Sequence, residues 1–391
     1  MALPIFGGPM KKSRLDRQQD FLLNFLRPLV YIWMRLDAKR KVTAGEGVNF
    51  KRKEPFVMLA NHTFLFDVVH VPLRFRNVPF IIASQTLFTK QPAKFFVTQV
   101  AHVIPKSKGK SDMQTIRKTF EVVSKGYPIL IFPEGDTTFF GETGYIEPST
   151  MKLVKKLGLD IITCNVQGGY YSKPRWATGK RKHRQVELDY QLTIPKEELK
   201  TLSVEDINQR INQALYHNAY LYQQEKRIPH PGKTLAEGIE NVIYVCPKCR
   251  SLNSFESHGN EFHCTSCKTQ GTIDSYGFIQ GFEYDNLIAW NQFQRQFRDA
   301  LLQSEVSSSG LLSYLKVEDE SQVILGNVDV IYRNQQLEFS GSFEAILPIE
   351  EITNATITLR RDLGFTYQEK NYLIKMDRYA QSFLRILQDK Y

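Results

Sequence analysis

Residues 56–67 have the sequence Phe-Val-Met-Leu-Ala-Asn-His-Thr-Phe-Leu-Phe-Asp. The uninterrupted apolar run over residues 56–60 is typical of a strand that is buried on both faces. Three polar residues end the run, and Thr63 is predicted to be a helix N-cap whose hydroxyl accepts a free amide of the first turn. On this interpretation His62 occupies position N′ and Asp67 occupies N4, two positions that lie in contact at a helix start. The stretch therefore predicts a strand, a tight turn and a helix, with an imidazole held against a carboxylate.

His62 and Asp67 have the residue types of a catalytic pair. A carboxylate next to one ring nitrogen of a histidine fixes the tautomer, raises the basicity of the other nitrogen and stabilises the imidazolium. A general base for a hydroxyl group requires these properties. We therefore interpret His62 as a candidate base and Asp67 as the residue that orients it. A surface histidine beside the acidic residue of a helix start is the alternative that this spacing alone leaves open.

A second stretch, residues 129–138, has the sequence Ile-Leu-Ile-Phe-Pro-Glu-Gly-Asp-Thr-Thr. It again places a polar turn with a glycine directly after a short apolar strand. Together the two stretches resemble the signature blocks of the glycerolipid acyltransferase family, which includes the 1-acylglycerol-3-phosphate acyltransferases and related lysophospholipid acyltransferases. The first stretch matches the His-x4-Asp pattern of that family, and residues 132–135 match its Phe-Pro-Glu-Gly core. The resemblance covers residues 1 to about 230.

The second block departs from the family pattern after its glycine. Thr, Arg and Ser are usual at the next three positions, where this chain has Asp136, Thr137 and Thr138. In the family that Arg meets the phosphate of the acceptor, so either another cation replaces it here or the acceptor carries no phosphate at that point. Candidates for the replacement are Lys106 and Arg175. Arg175 is preferred because a guanidinium can hold two phosphate oxygens at once.

The resemblance implies an acyltransferase whose chemistry needs no metal or redox cofactor. His62 would remove the proton of an acceptor hydroxyl, and the alkoxide would attack the thioester of acyl-CoA or acyl carrier protein. The implied acceptor is a lysophospholipid, first of all 1-acylglycerol-3-phosphate, in phospholipid biosynthesis. Glu134, Gly135 and Thr137 would form the part of the site that holds the acceptor or the oxyanion. The alternatives are hydrolysis of the thioester by water, and an inactive acyltransferase-like scaffold that binds a protein or nucleic acid.

The composition and the alternation of strand and helix patterns limit the possible architectures. The chain has 391 residues, of which 42% are hydrophobic, and this is enough for two or three domains with ordinary cores. Its net charge of +10 at pH 7 suits an anionic lipid, nucleic acid or phosphorylated substrate. From residue 56 to about residue 227 strand and helix patterns alternate, including a helix at 91–100 and one long helix from Ser203 to about residue 226. This alternation predicts an α/β acyltransferase domain over residues 46–230, with a mostly parallel sheet and both blocks at the carboxyl ends of strands.

Residues 1–45 are predicted to be an N-terminal helical segment that associates with a membrane. Residues 21–36 are apolar and aromatic, are interrupted by Pro28 and have basic residues nearby, which suits a bilayer interface. The stretch is shorter and more polar than the ~20 apolar residues of a transmembrane helix, and no signal peptide is evident. The predicted location is therefore peripheral, at the cytoplasmic face of a membrane. An amphipathic helix packed on the domain core is the alternative.

Four of the five cysteines form two Cys-x2-Cys pairs. Cys246 and Cys249 are separated by fourteen residues from Cys264 and Cys267, a spacing typical of a zinc ribbon, which we predict over residues 242–275. Four thiolates leave no open position on the metal, so the Zn²⁺ would be structural. Zinc ribbons also occur in nucleic-acid-binding proteins, but no nucleic acid is expected as a partner here.

Residues 304–391 are predicted to be an antiparallel β module with a C-terminal helix. The pattern changes to eight short strands after the Ser-Ser-Ser-Gly segment at 307–310, and a helix at 378–389 closes the chain. In topology this order resembles a PH or GRAM-like module. Such modules bind lipids or proteins, and a purely structural appendage is the alternative.

Overall fold

The computed structural model describes residues 10–84, 99–106, 112–179, 181, 184–316 and 322–388. The chain folds as two compact units. The first unit comprises Met1–Thr138, Glu142–Ser172 and Arg184–Tyr222, and the second comprises Phe139–Gly141, Lys173–His183 and Gln223–Tyr391. Most of the predicted helix at 91–100 lies outside the described residues.

Among the described residues, the first unit is built on a seven-stranded sheet. Its strands are β1 (Lys39–Ala44), β2 (Val57–Ala60), β3 (Phe80–Ser84), β4 (Val103–Lys106), β5 (Ile129–Ile131), β6 (Ile161–Gln167) and β7 (Gln185–Ile194). Its helices are α1 (Arg14–Asp37), α2 (Asp67–His70), α3 (Asp112–Ser124), α4 (Pro148–Leu157), α5 (Gly169–Ser172), α6 (Lys196–Leu199), α7 (Val204–Leu215) and the first part of α8 (Ala219–Lys226), with a 3-10 turn at Pro72–Arg74.

The strands are arranged in the order β1-β7-β6-β2-β5-β3-β4. Neighbours from β6 to β4 are parallel, whereas β7 is antiparallel to β6, and β1 is parallel to β7. The predicted, mostly parallel sheet is therefore confirmed. β2 pairs directly with β5, so the turns that follow these two strands leave the same edge of the sheet side by side. This pairing brings the two sequence blocks together.

Every residue of β2 and β5 is buried, because each face of the sheet has its own core. One core combines the side chains of one face with those of α3, α4 and α7; its strand residues include Val57, Leu59, Ile129 and Ile131. The other core contains the alternate residues together with Phe64 and Phe75 from the segment after β2; its strand residues include Met58, Ala60, Leu130 and Ile162. The apolar run of the first block is thus a strand covered on both sides.

Helix α1 is a single helix that begins earlier than residue 21. Ser13 forms a capping box with Asp16, and the helix continues through Pro28 to Asp37. Pro28 removes the N–H that would bond to the carbonyl of Asn24. Both residues are exposed, so water can bond to that carbonyl in place of the missing amide.

The predicted long helix from Ser203 is wrong, because the structure has two helices there. A capping box at Ser203 starts α7, which ends before Tyr216. Asn218 then starts α8, since its side-chain oxygen accepts the N–H groups of Tyr220 (3.0 Å) and Leu221 (3.1 Å). The break between the helices lies beside the candidate active site described below.

The described residues of the second unit contain two antiparallel sheets. The first has the order β11-β10-β9-β8, with β8 (Phe255–His258), β9 (Glu261–Cys264), β10 (Gln270–Ile273) and β11 (Ile279–Gln280). The second has the order β15-β14-β13-β12-β18-β17-β16, with β12 (Val306–Leu315), β13 (Gln322–Arg333), β14 (Gln336–Gly341), β15 (Ala345–Pro348), β16 (Thr353–Thr358), β17 (Asp362–Tyr367) and β18 (Lys370–Met376). The helices are α9 (Leu287–Gln294), α10 (Arg298–Leu302) and α11 (Ala380–Leu387), and 3-10 turns lie at Ile239–Asn241, Arg295–Phe297 and Ile349–Glu351.

The C-terminal sheet differs from its prediction in two places. Residues 307–310 lie inside β12 rather than before the first strand, and β13 is one strand where two were predicted. The turn-type pair Gly326-Asn327 does not end β13, because a shift in the register with β12 at Leu312/Ser313 absorbs the extra residue as a bulge. The antiparallel strands and the C-terminal helix are confirmed, and the PH or GRAM-like identity stays a prediction.

The cysteine-rich part and the C-terminal sheet share a hydrophobic core. Tyr244 and Val245, which directly precede the first cysteine pair, belong to the same buried cluster as Val330 of β13 and Phe383 of α11. Trp290 of α9 extends this packing, because its indole donates to the carbonyl of Val245 (3.1 Å). The second unit is therefore one packed body in which the predicted ribbon and β module lie together.

Candidate active site

The turn after β2 is fastened to β6 by the buried side chain of Asn61. Its Nδ2 donates to the carbonyl of Val166 (3.0 Å), and its Oδ1 accepts the N–H of the same residue (2.6 Å). The carboxamide thus pairs both backbone groups of Val166 at the point where β2 ends. Asn61 was not among the predicted site residues, although it directly precedes the histidine of the first block.

The predicted contact between His62 and Asp67 is confirmed, with 3.2 Å between Nδ1 and Oδ2. The imidazole is mostly buried and stacks on the ring of Phe132, with 4.4 Å between the ring centroids. Nδ1 faces the carboxylate, so Nε2 is the nitrogen that can exchange a proton with a substrate. Phe132 immediately precedes the Pro-Glu-Gly turn, so a side chain of the second block packs against the imidazole of His62.

Asp67, rather than Thr63, caps the turn after β2. Its Oδ2 accepts the N–H of Thr63 (2.6 Å), the N–H of Phe64 (3.0 Å) and the hydroxyl of Thr63 (3.3 Å). Helix α2 begins only at Asp67, and its N-cap is Phe66. The prediction of Thr63 as the N-cap is therefore wrong, because a carboxylate four residues later competes better for the free amides. Several donors on one oxygen of this fully buried residue hold its carboxylate in one orientation.

Glu134 connects the second block to the backbone of the first. Its Oε1 accepts the N–H of His62 (2.7 Å), and its Oε2 accepts the N–H of Gly144 (2.6 Å). Burial raises the pKa of Glu134 to about 7, although these two amides and the imidazole of His62 act in the opposite direction. The folded state therefore binds this proton more tightly than the unfolded chain, and the free energy of unfolding falls as the pH rises from about 4.5 to about 7. Ionised Glu134 is a cost to stability at a site where its two acceptor oxygens are needed.

The loop after Glu134 closes over the same turn. Gly135 has a φ of 78°, in the left-handed region that favours glycine, and a Cβ there would meet no atom within 4 Å. The glycine is therefore needed for the backbone conformation, and it leaves the space beside it open. The N–H of Thr137 donates to Asp136 Oδ1 (2.8 Å), and the N–H of Thr138 donates to the carbonyl of His62 (3.0 Å).

The two candidate phosphate ligands lie in different units. Lys106 ends β4, at the same edge of the sheet as His62 but three strands from β2, which corresponds to ~14 Å. Arg175 belongs to the second unit, where its guanidinium donates to the carbonyls of Ile357 and Leu359 and lies 3.8 Å from the ring centroid of Phe139. These contacts use Arg175 as a structural donor and do not support its predicted role.

Gly169 is a further residue of the site that the sequence prediction missed. It follows β6, and a Cβ at this position would overlap Thr63 Oγ1 and approach Phe64 Cδ1 to 2.6 Å. Only glycine lets the backbone after β6 pack this closely against the turn that carries His62. The consecutive glycines Gly168 and Gly169, directly after β6, were the available signal.

In the second unit, the four cysteine sulfurs form a compact cluster in which all lie within 4.8 Å of one another. Cys246 and Cys267 are 3.8 Å apart, and Cys249 and Cys264 are 3.7 Å apart. Four thiolates at the usual Zn–S distance of about 2.3 Å from a tetrahedral ion would be ~3.8 Å apart, so the cluster fits zinc. No fifth ligand is required, and the ion would only hold the two knuckles together.

The two knuckles have the same backbone structure. In each, the backbone carbonyl of the first cysteine accepts the N–H of the residue four positions later, and its backbone N–H donates to the carbonyl five positions later. For Cys246 these partners are Arg250 and Ser251. For Cys264 they are Lys268 and Thr269. Arg250 and Lys268 both have a φ of 60°. This repeated turn places both thiolates of a pair on one side, as a shared metal ion requires.

Comparison with known proteins finds similarity in the region that carries the candidate site. Residues 41–167 match the sequence model of the acyltransferase family. No curated protein matches the chain. Among solved structures, the chain is similar to the 1-acyl-sn-glycerophosphate (LPA) acyltransferase PlsC from Thermotoga maritima, with 17% identity and a TM-score of 0.41 over 52% of this chain and 80% of that one. The matched family segment contains both sequence blocks and therefore His62, Asp67 and Glu134.

Proposed function

We propose that the protein transfers a fatty acyl group from acyl-CoA or acyl carrier protein to the hydroxyl of a lysophospholipid, first of all 1-acylglycerol-3-phosphate. The observation that carries this proposal is the His62–Asp67 pair at the carboxyl end of β2, inside the segment that matches the acyltransferase family. Such a pair provides a general base for a hydroxyl group.

The reaction follows from the orientation of His62. As the acceptor hydroxyl attacks the thioester carbonyl, Nε2 takes its proton, and the buried Asp67 carboxylate stabilises the resulting imidazolium. The tetrahedral intermediate then expels the thiolate, which receives the proton back from Nε2. The C–S bond is replaced by a C–O bond, and the products are an ester and a free thiol.

The acceptor side of the site is assigned to the turn after β5. Glu134 acts by holding the backbone, because both of its oxygens already accept amides. Gly135 and Thr137 are proposed to face the acceptor, since Gly135 leaves space beside the turn. Lys106 remains the cation of the first unit that we assign to an acceptor phosphate.

Purified protein supplied with acyl-CoA or acyl carrier protein and a panel of acceptors tests this proposal. We expect ester formation with 1-acylglycerol-3-phosphate, and a Lys106→Ala variant should raise the KM for that acceptor about tenfold, the loss expected for one charge-assisted contact. The matched control is Lys51→Ala, which removes an exposed lysine from the loop between β1 and β2. Free fatty acid without ester would instead identify a thioesterase, and no turnover of any thioester would leave a binding scaffold. Equal use of acceptors with and without phosphate would remove the assignment of Lys106.

We further propose that the protein works peripherally at the cytoplasmic face of a membrane, attached through α1. Five apolar residues repeat every three or four positions along this helix. They are Phe21, Phe25, Leu29, Ile32 and Leu36, which expose 67, 68, 61, 59 and 81% of their surface. An apolar stripe this exposed, flanked by basic residues, suits insertion into a bilayer interface rather than packing on a core. Within the part of the chain that the structure describes, no helix is long and apolar enough to cross a bilayer.

A triple substitution of Phe21, Phe25 and Leu29 by serine should weaken sedimentation with anionic vesicles at least about tenfold, because it removes three of the inserted side chains. The exposed side chains make few contacts, so the fold should persist. Ile324→Ser, which removes a similarly exposed apolar residue from β13, is the control and should bind like the unaltered protein. Unchanged sedimentation of the triple variant would exclude the stripe as the membrane contact.

A further inference from the structure

The break between α7 and α8 lies next to the candidate active site, although it is far from both blocks in sequence. Residues 214–218 fall outside the segment 41–167 that matches the acyltransferase family. α7 ends here, and the last carbonyls of a helix need partners from outside it. Two polar side chains of the site region supply those partners.

Thr143 is the first of these side chains. Its hydroxyl donates to the carbonyl of Leu215 (3.0 Å) and accepts the N–H of His217 (2.9 Å), and its own N–H donates to the carbonyl of His217 (3.0 Å). Both the backbone and the side chain of Thr143 are therefore fixed by the helix break. The next residue is Gly144, whose N–H donates to Glu134 Oε2.

Asn165 is the second, and it binds the same break from the other side. Its Nδ2 donates to the carbonyls of Ala214 (3.0 Å) and Tyr216 (3.1 Å). The next residue is Val166, whose backbone holds Asn61, the neighbour of His62. Hydrogen bonds, together with peptide links between neighbouring residues, thus form a closed circuit. One arm runs from His62 through Glu134, Gly144 and Thr143 to the helix break. The other arm returns to His62 through Asn165, Val166 and Asn61.

We infer that Thr143 is a positioning residue for the proposed acyl transfer, which holds the Gly144 amide against Glu134 and thereby fixes the backbone that carries His62. This inference rests on the proposed function. Glu134 has two oxygens and two amide partners, and the loss of either amide frees the carboxylate to rotate. A shift of the His62 backbone by a fraction of an ångström misaligns Nε2 with the hydroxyl it must deprotonate.

Thr143→Val removes the hydroxyl with almost no change of shape, so it tests this link directly. We expect kcat to fall about 10- to 100-fold, because Nε2 of His62 is misaligned with the acceptor hydroxyl. The KM of either substrate should change by less than about threefold, because the side chains proposed to bind the substrates are unaltered. Thr143→Ser retains the hydroxyl and should restore kcat. Thr201→Val is the matched control, because it removes a hydroxyl that bonds to a helix-end carbonyl, that of Glu198, without contact to Glu134.

A second readout does not depend on turnover. The readout is the ¹³C NMR signal of glutamate side-chain carboxyl carbons, and the signal that disappears in Glu134→Gln is assigned to Glu134. In the unaltered chain this signal should titrate with a midpoint near the pKa of about 7. In Thr143→Val the hydrogen bond from the Gly144 N–H to Glu134 should be lost. This bond favours the charged form of Glu134, so its loss should raise the titration midpoint by at least about half a pH unit. Thr143→Ser and Thr201→Val should titrate like the unaltered chain.

The outcomes are distinct. A Thr143→Val protein whose Glu134 titrates at the unaltered midpoint overturns the inference, whatever its activity. A shifted midpoint with unaltered kcat overturns the catalytic part of it. If the unaltered protein transfers no acyl group to any acceptor, the proposed function fails, and the titration still decides whether Thr143 holds Glu134.

Discussion

A His62→Ala variant is expected to lose acyl transfer by about 10⁴- to 10⁶-fold while keeping its fold. The imidazole is the proposed proton acceptor, and no other described side chain shares its contact with Asp67 Oδ2 except the hydroxyl of Thr63. Its removal costs a stacking contact with Phe132 but leaves the backbone bonds of the turn to Glu134 and Thr138 in place. Initial rates with acyl-CoA and 1-acylglycerol-3-phosphate, with circular dichroism as the control for folding, provide the measurement. Full activity in a folded variant would exclude the mechanism.

Asp67→Asn separates the charge of this residue from its geometry. An asparagine can place its oxygen where Oδ2 now accepts the amides of Thr63 and Phe64, with its NH₂ at the position of Oδ1. Oδ1 is buried and has no hydrogen-bond partner among the described residues, so the NH₂ would be unsatisfied at a modest cost in stability. The imidazolium would lose its counter-charge, and the rate should fall by about 10³- to 10⁴-fold, less than for His62→Ala. Equal rates for Asp67→Asn and the unaltered protein would restrict Asp67 to capping the turn.

The second large effect is expected at the predicted zinc site. Structural zinc contributes ~10–16 kcal/mol of folding free energy in zinc-finger peptides at neutral pH. A strong chelator should therefore abolish hydrogen-exchange protection in β8 to β11 of the second unit, while β2 and β5 of the first unit remain protected. Cys264→Ser should have the same effect, because it removes one of the four candidate thiolate ligands at a buried position.

Elemental analysis should find one zinc per chain in the purified protein. Cys164→Ala is the matched control, because Cys164 lies in the core of the first unit, outside the cluster, and its loss should leave the zinc content unchanged. Purified protein without metal, and with four cluster thiols that react freely in the native state, would refute the zinc site.

Local spacing and strand geometry made the central part of the site predictable. His62 and Asp67 are five residues apart, so a short turn followed by a helix start lets their side chains meet. Glu134 follows a buried strand, and parallel neighbours deliver their ends to one edge of the sheet. The cysteine cluster was equally predictable from the sequence, because each Cys-x2-Cys knuckle is formed by backbone hydrogen bonds between residues close in sequence.

Features that depend on contacts distant in sequence were not predictable. Residues 203–226 have no glycine or proline, and the helix ends at Leu215 because Asn165 and Thr143 bond to its last carbonyls. Residues 307–310 have the composition of a loop, yet they pair with β13, and Gly310 packs against β18 so closely that a Cβ would lie 2.5 Å from the carbonyl of Lys375. In both cases the partner strand or side chain, rather than local preference, decides the conformation.

The division of the chain into two units also has a consequence for the order of its synthesis. Residues 173–183 leave the ribosome before β7, yet they belong to the second unit, where the N–H of Thr178 donates to the carbonyl of Glu237 and Trp176 is buried. The last residue of the first unit, Tyr222, is translated before residues 223–391 of the second unit. Until Glu237 has been translated, the N–H of Thr178 lacks this partner, so the segment around Thr178 reaches its final structure later than the strands on either side of it.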